Sequence, residues 1–206
     1  MTGISSSPLA AALARSALVA DALEQAREAH QGQVRNGSGG MPYIEHPKAV
    51  ATLLAEHGFG DDVLAAALLH DVVEDSETTV ADIERRFGEP VAGLVAALSD
   101  DESIDNYRRR KDEHRERIRD VDGDAFAIYG ADKLTNVRTL RRAYGEEGER
   151  VREEFKVPLE LKLDVWDQDR ALLVAAAPEL PFLDELALEL SRLRADLVAA
   201  APRRGT

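Results

Sequence analysis

The sequence predicts an all-α protein, and three observations support that fold class. Apolar residues make up 44% of the 206 residues and aromatic residues only 5%, so the core must be built mainly from Ala, Leu and Val. Ala and Leu are strong helix formers. Helix start and stop signals recur along the chain, and we find no convincing apolar–polar alternation of the kind that strands show. We therefore expect roughly eight to ten helices.

The first half of the chain predicts several helices separated by glycine, proline and short polar residues. Ser7 and Pro8 indicate a helix start, and this helix is expected to run to about Ala29, with Gly32 stopping it. The Gly- and Ser-rich segment 33–47 is expected to be a loop. Further helices are predicted in the segments KAVATLLAEH, VLAAALLHDVV (capped by Asp61 or Asp62), VADIERRF (capped by Thr79 and closed by Gly88) and VAGLVAAL (opened by Pro90).

The second half predicts longer helices. Residues 100–120 are expected to form a loop and an exposed helix. The segment AFAIYGADKLTNVRTLRRAYG predicts a helix that ends at Gly145, and residues 146–177 predict one long helix. Pro178 and Pro181 break it before the last helix, FLDELALELSRLRADLVAA.

The expected organisation is a single domain over residues 1–200. Its core covers about residues 22–140, and C-terminal helices follow over residues 146–200. Residues 201–206 are expected to be a disordered tail. The leucines of the last helix could close the core or form a dimer face, so a homo-oligomer stays open; they are Leu183, Leu186, Leu188 and Leu190.

Composition excludes several functional classes. The chain has no cysteine, which excludes disulfides, thiolate metal sites and a cysteine nucleophile. Its net charge of −13 argues against nucleic-acid binding, and a polyanionic substrate would need a local basic pocket. Arg15 interrupts the N-terminal apolar run, and no apolar run is long enough to span a membrane. We therefore expect a cytoplasmic protein without a membrane partner.

The stretch ALLHDVVED places four ionisable residues in a segment that otherwise suggests burial. Burying such groups costs several kcal/mol each unless they are paired or bind a metal. His70 and Glu74 are four residues apart, as are Asp71 and Asp75, so each pair shares a helix face. Capping or flanking a helix end is the alternative interpretation of these acids.

Two further residues could complete a metal site with His70 and Asp71. They are His46, which precedes a proline, and Asp132, which lies inside an apolar helix. Two His and two Asp suit Mn²⁺, Fe²⁺ or Zn²⁺. Such a metal lowers the pKa of water and polarises a phosphoryl oxygen, and Glu74 and Asp75 could take the proton from the attacking water or hold that water.

Polar and basic residues elsewhere could bind a substrate. Asp132, Asn136 and Thr139 form a stripe that could edge a pocket or face solvent. Arg35 precedes the flexible segment NGSGG and could stack on a base or bind phosphate. The basic run 107–119, with Lys111, could offset phosphate charge or be a solvated helix face.

Three histidines lack neighbours that would support a functional role. His30, His57 and His114 do not belong to any of the motifs above. We expect them to be ordinary, partly exposed side chains.

Five motifs in order, AHQGQVR, PYIEHPKAVA, ALLHDVVEDSETT, FGEPVAGLV and ADKLTNVRTL, resemble the HD-domain hydrolases of the RelA/SpoT group, and most of all the stand-alone small alarmone hydrolases. The resemblance covers about Ala22 to Leu140. It implies an all-α HD fold and a Mn²⁺-dependent pyrophosphohydrolase. Such an enzyme removes the 3′-pyrophosphate from (p)ppGpp and releases GDP or GTP and pyrophosphate.

The resemblance also implies roles for individual residues. It implies four metal ligands, His46, His70, Asp71 and Asp132, and two catalytic acids, Glu74 and Asp75. It implies a residue that packs on guanine, Arg35, and two nucleoside contacts, Asn136 and Thr139. We add Lys133 and Lys111 as expected substrate contacts. The chain departs from the long enzymes at Lys133, where they usually carry Arg, at Thr135, where they carry His, and at Ser99-Asp100.

Two alternatives remain open at this point. An HD phosphohydrolase acting on a deoxynucleotide or NADPH would share the metal chemistry but differ in the base pocket. A nucleotide-binding or protein-interaction module without catalysis would bind no metal and hydrolyse no substrate.

Overall fold

The computed structural model describes residues 7–121 and 123–200, and within those residues it forms no strand. Ten helices have eight residues or more, and one, α5, is a single turn. In chain order they are α1 Pro8–Arg15, α2 Ala17–Ala29, α3 Glu45–Glu56, α4 Asp61–Leu69, α5 Val72–Asp75, α6 Val80–Phe87, α7 Glu89–Leu98, α8 Tyr107–Arg119, α9 Gly123–Glu147, α10 Leu159–Ala176 and α11 Leu183–Ala200. The all-α prediction is confirmed, and the expected tail 201–206 lies outside the described residues.

Several predicted helix ends are confirmed by their caps. The Ser7 hydroxyl accepts a hydrogen bond from the Ala10 N–H, with Pro8 in the first turn. Thr79 and Asp82 form a reciprocal capping box, and α6 ends at Gly88. Each cap satisfies backbone groups that a helix end otherwise leaves without partners.

The single helix expected from Pro8 to Ala29 is wrong, because Ser16 separates α1 from α2. Ser16 is buried and has an extended backbone, with φ −124°. Its own helix propensity is too small to decide the matter, so packing decides it. The break lets each helix turn its own apolar face, around Ala12 and Ala22, toward the core.

Two expectations for the second half are also wrong. Helix α9 passes through Gly145 and ends at Glu147, and no long helix covers residues 146–177. A 3₁₀ helix, Gly148–Glu154, follows instead, and α10 begins only after Pro158. Pro158 lacks the N–H that would continue a preceding helix, so it ends one element and caps the next.

Helices α4 and α9 form the centre of the fold. Every residue from Val63 to Leu69 is buried, and α4 packs against α2, α3, α7 and α9. Helix α9 packs against α3, α7, α10 and α11. Phe182 lies so close to α9 that a Cβ added at Gly130 would be 2.8 Å from its ring.

The C-terminal helices close this core. Of the four leucines considered in α11, Leu183, Leu186 and Leu190 are buried and Leu188 is 48% exposed. Among the described residues, no helix combines the length and hydropathy needed to cross a bilayer.

Candidate metal centre and adjoining cavities

A break between α4 and α5 places His70 and Asp71 at a helix junction. Helix α4 ends at Leu69, and α5 begins at Val72. Adjacent helical residues point about 100° apart. The junction allows both side chains to face the same point, as the distances below show. The Nδ1–H of His70 donates to the carbonyl oxygen of Ala67 at 2.8 Å, so its Nε2 carries the lone pair.

Helices α3 and α9 bring His46 and Asp132 to the same point. The His46 Nε2 lies 3.0 Å from Asp132 Oδ1, and the His70 Nε2 lies 3.9 Å from that oxygen. One ligand atom from each of these three buried residues lies within 4.8 Å of the others. Within the part of the chain that the structure describes, neither imidazole Nε2 has a hydrogen-bond partner. Because a buried unpaired nitrogen is costly, this donor set fits a divalent metal ion.

Asp71, the fourth predicted ligand, borders the same point. Its Oδ1 lies 3.2 Å from the His70 Nε2, and its Oδ2 lies 3.7 Å from the His46 Nε2. The Tyr43 hydroxyl donates to Asp71 Oδ2 at 2.9 Å, and Arg35 Nη1 lies 3.7 Å from it. All four predicted ligands therefore lie together.

The electrostatics suit a neutral imidazole beside ionised carboxylates. Burial, and then the Arg35 charge, lowers the pKa of His46 to about 4. Burial opposes ionisation of Asp132, but Lys133 and His46 hold its pKa well below the usual value. Burial likewise opposes ionisation of Asp71, whose pKa His70 and His46 keep lowered. A metal ligand set requires these protonation states.

Two cavities adjoin this centre. The inner cavity, of about 200 Å³, is lined by His70, Asp71 and Asp132 and by five basic residues, Arg35, Arg110, Lys111, Lys133 and Lys162. The outer cavity, of about 630 Å³, shares several of these walls and adds Thr139 and Phe155. These five basic side chains offer local positive groups to a polyanionic substrate in a chain of net charge −13, although five acidic residues line the inner cavity as well.

The two predicted catalytic acids face different cavities. Glu74 lines the inner cavity, whereas Asp75 lines the outer cavity. Burial, Asp71 and Asp100 raise the pKa of Glu74 to about 8, although the Asp100 N–H donates to its Oε1 at 2.6 Å. Burial also raises the pKa of Asp75. Glu74 therefore shares a cavity with three of the predicted metal ligands, whereas Asp75 does not.

The predicted substrate residues line these cavities. Arg35 donates to Asn136 Oδ1, and the Asn136 amide donates to Asp132 Oδ1 at 2.6 Å. Thr139 is half-buried at the outer cavity, so the polar stripe on α9 does not simply face solvent. Lys133 donates to Asp132 Oδ2 at 2.6 Å. Lys111 pairs with Asp100 on the inner cavity wall.

The basic run 107–119 forms α8, which is only partly a solvated face. Lys111, Arg110 and His114 line the inner cavity. Arg115 is buried and pairs with Asp169 of α10 at 2.7 Å. The expectation of an exposed helix is therefore wrong for its inner side.

The expectation of partly exposed histidines is wrong for two of the three. His114 is 3% exposed, with its Nδ1 2.8 Å from Asp100 Oδ1. His30 is also 3% exposed and stacks on Tyr43 at 4.5 Å. His57 is exposed, as expected for a residue at a helix C-cap.

The cavities also contain residues that were not identified from the sequence as site residues, among them Tyr43, Asp100, Lys162 and Trp166. Tyr43 carries a usable signal, since it is an aromatic residue three positions before His46 in a Gly-rich loop. Lys162 and Trp166 carry none, because they follow the last motif by more than twenty residues and only the packing of α10 brings them to the site.

The fold and the site together define a class: all-helical proteins in which His and Asp side chains from separate helices converge on a candidate metal centre. The family model described as "HD domain" matches residues 22–166. The chain belongs to the HD-domain family.

Two curated relatives illustrate its similarity within that family. The bifunctional (p)ppGpp synthase/hydrolase SpoT of Escherichia coli (strain K12) is 43% identical over 121 residues, which cover 56% of this chain and 17% of SpoT. The chain thus spans less than a fifth of that relative. The guanosine-3′,5′-bis(diphosphate) 3′-pyrophosphohydrolase MESH1 of Xenopus tropicalis is 38% identical over 144 residues, covering 68% of this chain and 80% of MESH1.

Two solved structures share the fold. One, described as a metazoan ortholog of SpoT that hydrolyzes ppGpp and plays a role in starvation responses, has a TM-score of 0.71 and 31% identity and covers 88% of this chain and 98% of its own. The other, from Listeria monocytogenes EGD-e, has a TM-score of 0.66 and 34% identity and covers 72% of this chain and 97% of its own.

Proposed function

We propose that this chain is a metal-dependent pyrophosphohydrolase that removes the 3′-pyrophosphate from (p)ppGpp, giving GDP or GTP and pyrophosphate. One observation carries the proposal: the unpartnered Nε2 atoms of His46 and His70 lie beside Asp71 and Asp132 at the edge of a cavity that five Lys and Arg side chains help to line. The relatives named as guanosine-3′,5′-bis(diphosphate) 3′-pyrophosphohydrolases, and the ppGpp-hydrolysing structural neighbour, support the substrate.

In this proposal, His46, His70, Asp71 and Asp132 hold the metal ion. When bound, a divalent ion supplies a Lewis acid that polarises a phosphoryl oxygen and lowers the pKa of water. Mn²⁺ is the ion we propose, and Fe²⁺ and Zn²⁺ also suit a His and Asp donor set.

The remaining cavity residues bind the nucleotide and move the proton. Glu74, whose carboxyl faces the inner cavity, accepts a proton from the attacking water. Lys111 and Lys133 offset charge on the 3′-phosphates, since fixed positive groups in a cavity stabilise developing negative charge.

The outer cavity holds the nucleoside. Arg35 packs on guanine there, and Asn136 and Thr139 contact the nucleoside. Asp75, on the wall of the same cavity, helps to order the water that reaches Glu74. A cytoplasmic location and a homo-oligomer stay predictions.

A substrate panel tests the proposed function. The purified protein is assayed with added Mn²⁺ on ppGpp, pppGpp, NADPH and deoxynucleoside monophosphates, with products identified by chromatography. We expect GDP and pyrophosphate from ppGpp. Preferential turnover of another nucleotide would support the alternative HD phosphohydrolase, and absence of both bound metal and turnover would support a non-catalytic module.

A variant pair tests the site assignment. Asp71→Asn preserves shape but removes the charge beside His46 and His70, so we expect at least a hundredfold loss of metal-dependent hydrolysis, since metal and proton chemistry together contribute more than that. Asp164→Asn, on the exposed side of α10, is the matched control with unchanged activity. Near-normal hydrolysis by Asp71→Asn would show the site assignment to be wrong.

A further inference from the structure

Lys162 of α10 points its ammonium group into a cage of three aromatic rings. Its Nζ lies 4.9 Å from the ring centroid of Phe155, 5.4 Å from that of Trp166 and 5.7 Å from that of Tyr107. The three rings come from different parts of the fold: the segment before α10, α10 itself and α8. Aromatic faces attract a cation, so the cage holds the ammonium in one place.

Among the described residues, no carboxylate forms an ion pair with Lys162. Among the described residues that line the inner cavity, the other basic side chains have acidic partners: Lys111 and Arg110 with Asp100, Lys133 with Asp132, and Arg35 with Asp71. Lys162 alone in that set has no ion pair. Burial, followed by the positive charges of Lys111 and Arg35, lowers the pKa of Lys162 to about 7. A half-buried cation without a carboxylate partner is unfavourable, and an anionic ligand would offset that cost.

The cage faces the outer cavity. Lys162, Tyr107 and Trp166 line both cavities, whereas Phe155, the nearest ring, lines only the outer one. Three of the four proposed metal ligands, His70, Asp71 and Asp132, line the inner cavity, and none of the four lines the outer one. A nucleotide whose 3′-pyrophosphate enters the inner cavity therefore presents its nucleoside and 5′ end to the side where Lys162 lies.

We propose that the Lys162 ammonium binds the 5′-diphosphate of the guanine nucleotide and so makes the outer cavity prefer nucleotides over nucleosides. This assignment rests on the proposed function and extends it to the specificity of the 5′ end. Lys111 and Lys133, which pair with carboxylates in the inner cavity, serve the 3′ group, and the caged Lys162 serves the 5′ group.

Steady-state kinetics with two substrates test the assignment. In Lys162→Met, which fills the cage with an uncharged side chain of similar length, we expect the KM for ppGpp to rise about tenfold with kcat little changed, since a charge-assisted contact of this kind contributes that much. For guanosine 3′-diphosphate, which has no 5′-phosphate, we expect no change. Lys162→Arg should restore most of the ppGpp affinity.

Binding of GDP gives a readout that does not depend on hydrolysis. Trp166 is the only tryptophan in the chain and borders Lys162, so GDP should change its fluorescence. We expect GDP affinity to fall about tenfold in Lys162→Met and to stay unchanged in Lys48→Met, whose lysine pairs with Glu45 outside both cavities. Guanosine should bind both variants as it binds the wild type.

Each outcome either supports or overturns the assignment. An equal rise of KM for both substrates would assign Lys162 to the 3′ group, and unchanged GDP affinity in Lys162→Met, or no GDP binding by the wild type, would overturn the proposal. If the wild type hydrolyses ppGpp but these results fail, only the Lys162 assignment fails. If the wild type binds GDP through Lys162 but does not hydrolyse ppGpp, the proposed function fails instead.

Discussion

At the scale of the residue, burial sorts chemically similar groups into different protonation states. His46 is held neutral because burial and Arg35 disfavour its charge, whereas Asp71 and Asp132 stay ionised beside positive groups. Glu74 meets burial and negative neighbours, so its pKa rises to about 8. Groups that must accept or release a proton near neutral pH are expected to have shifts of this kind.

Glu74 makes the metal-free protein less stable as the pH rises. Its pKa is about 8 in the folded state against an ordinary value of 4.5, so between these values the folded protein holds a proton that the unfolded chain releases. The contribution of Glu74 to the free energy of unfolding should therefore fall with rising pH, at most by about 1.4 kcal/mol per pH unit. Glu74→Gln should remove that dependence.

The measurement is urea unfolding in EDTA between pH 6.5 and 8, above the window in which His46 changes charge. The stability of Glu74→Gln relative to the wild type should increase with pH across that range. Glu84→Gln, on the exposed face of α6, is the control, and its difference in unfolding free energy from the wild type should not change with pH. If the difference in unfolding free energy between Glu74→Gln and the wild type also stays constant with pH, the raised pKa of Glu74 is contradicted.

Tyr43 orients a predicted metal ligand. Its hydroxyl donates to Asp71 Oδ2 at 2.9 Å, and its ring stacks on His30. Tyr43→Phe keeps the stacking and removes the hydrogen bond, so we expect Mn²⁺ affinity to fall about tenfold or more, as for other groups that orient a metal ligand. Calorimetric titration measures this, with Tyr144→Phe, whose hydroxyl contacts Glu149, as control. Equal affinities in the two variants would show that Tyr43 has no such role.

At the scale of the element, the loop that carries Arg35 is held by the segment that precedes α10. The Gly37 N–H donates to Glu154 Oε2 at 2.6 Å, and a Cβ added at Gly37 would be 2.1 Å from Phe155 Cζ. Phe155 also forms one wall of the Lys162 cage. The loop and the C-terminal segment therefore fit together through a position that only glycine can occupy.

Alanine substitutions at Gly37 and Gly40 distinguish the effect of the contact with Phe155 from the effect of backbone strain. Gly37 and Gly40 have positive φ angles of 69° and 81°, so alanine costs about 1–2 kcal/mol of stability at either position. At Gly37 the methyl group must also displace Phe155, whereas nothing lies within 4 Å at Gly40. We expect Gly37→Ala to raise the KM for ppGpp several-fold more than Gly40→Ala does, because a displaced binding loop loses contacts. If Gly37→Ala and Gly40→Ala have equal KM values for ppGpp, the close contact between Gly37 and Phe155 does not determine substrate binding.

At the scale of the whole molecule, the C-terminal helices belong to the site as well as to the core. Helix α11 packs on α9, which carries Asp132, and α10 packs on α8 and α9. The buried pair between Arg115 of α8 and Asp169 of α10 joins these parts behind the inner cavity. Loss of that pair should loosen the wall that carries Lys162 and Trp166.

Asp169→Ala should destabilise the fold strongly. Asp169 is 1% exposed, and its removal leaves the buried Arg115 charge with only the half-exposed Asp112 as an ion-pair partner, so we expect a loss of up to about 3–5 kcal/mol. Asp164→Ala, five residues earlier on α10, removes a carboxylate that is 56% exposed and should cost less than about 1 kcal/mol. Urea unfolding measures the stability of both variants. If Asp169→Ala loses as little stability as Asp164→Ala, the Arg115 charge is solvated without Asp169.

The candidate metal-ligand group could be predicted from the sequence because three of its four members conflict with their apolar surroundings. His70 and Asp71 follow a run of apolar residues, and Asp132 lies in an apolar helix, so their burial needed a chemical reason. Lys162 offered no such conflict, since a lysine in LELKLDVW suits the polar face of an ordinary amphipathic helix. For the same reason the break at Ser16 could not be predicted, because the local helix propensity there is nearly neutral.

By itself, the sequence determined the helical class, the caps of α1 and α6, and the residues able to ligate a metal. These features depend on residue type and on spacing within one element. Tertiary structure alone decided that Glu74 and Asp75 face different cavities, that His114 is buried against Asp100, and that Lys162 is caged without a carboxylate. The reason is physical: burial and charge pairing are set by groups distant in sequence, and only packing brings them together.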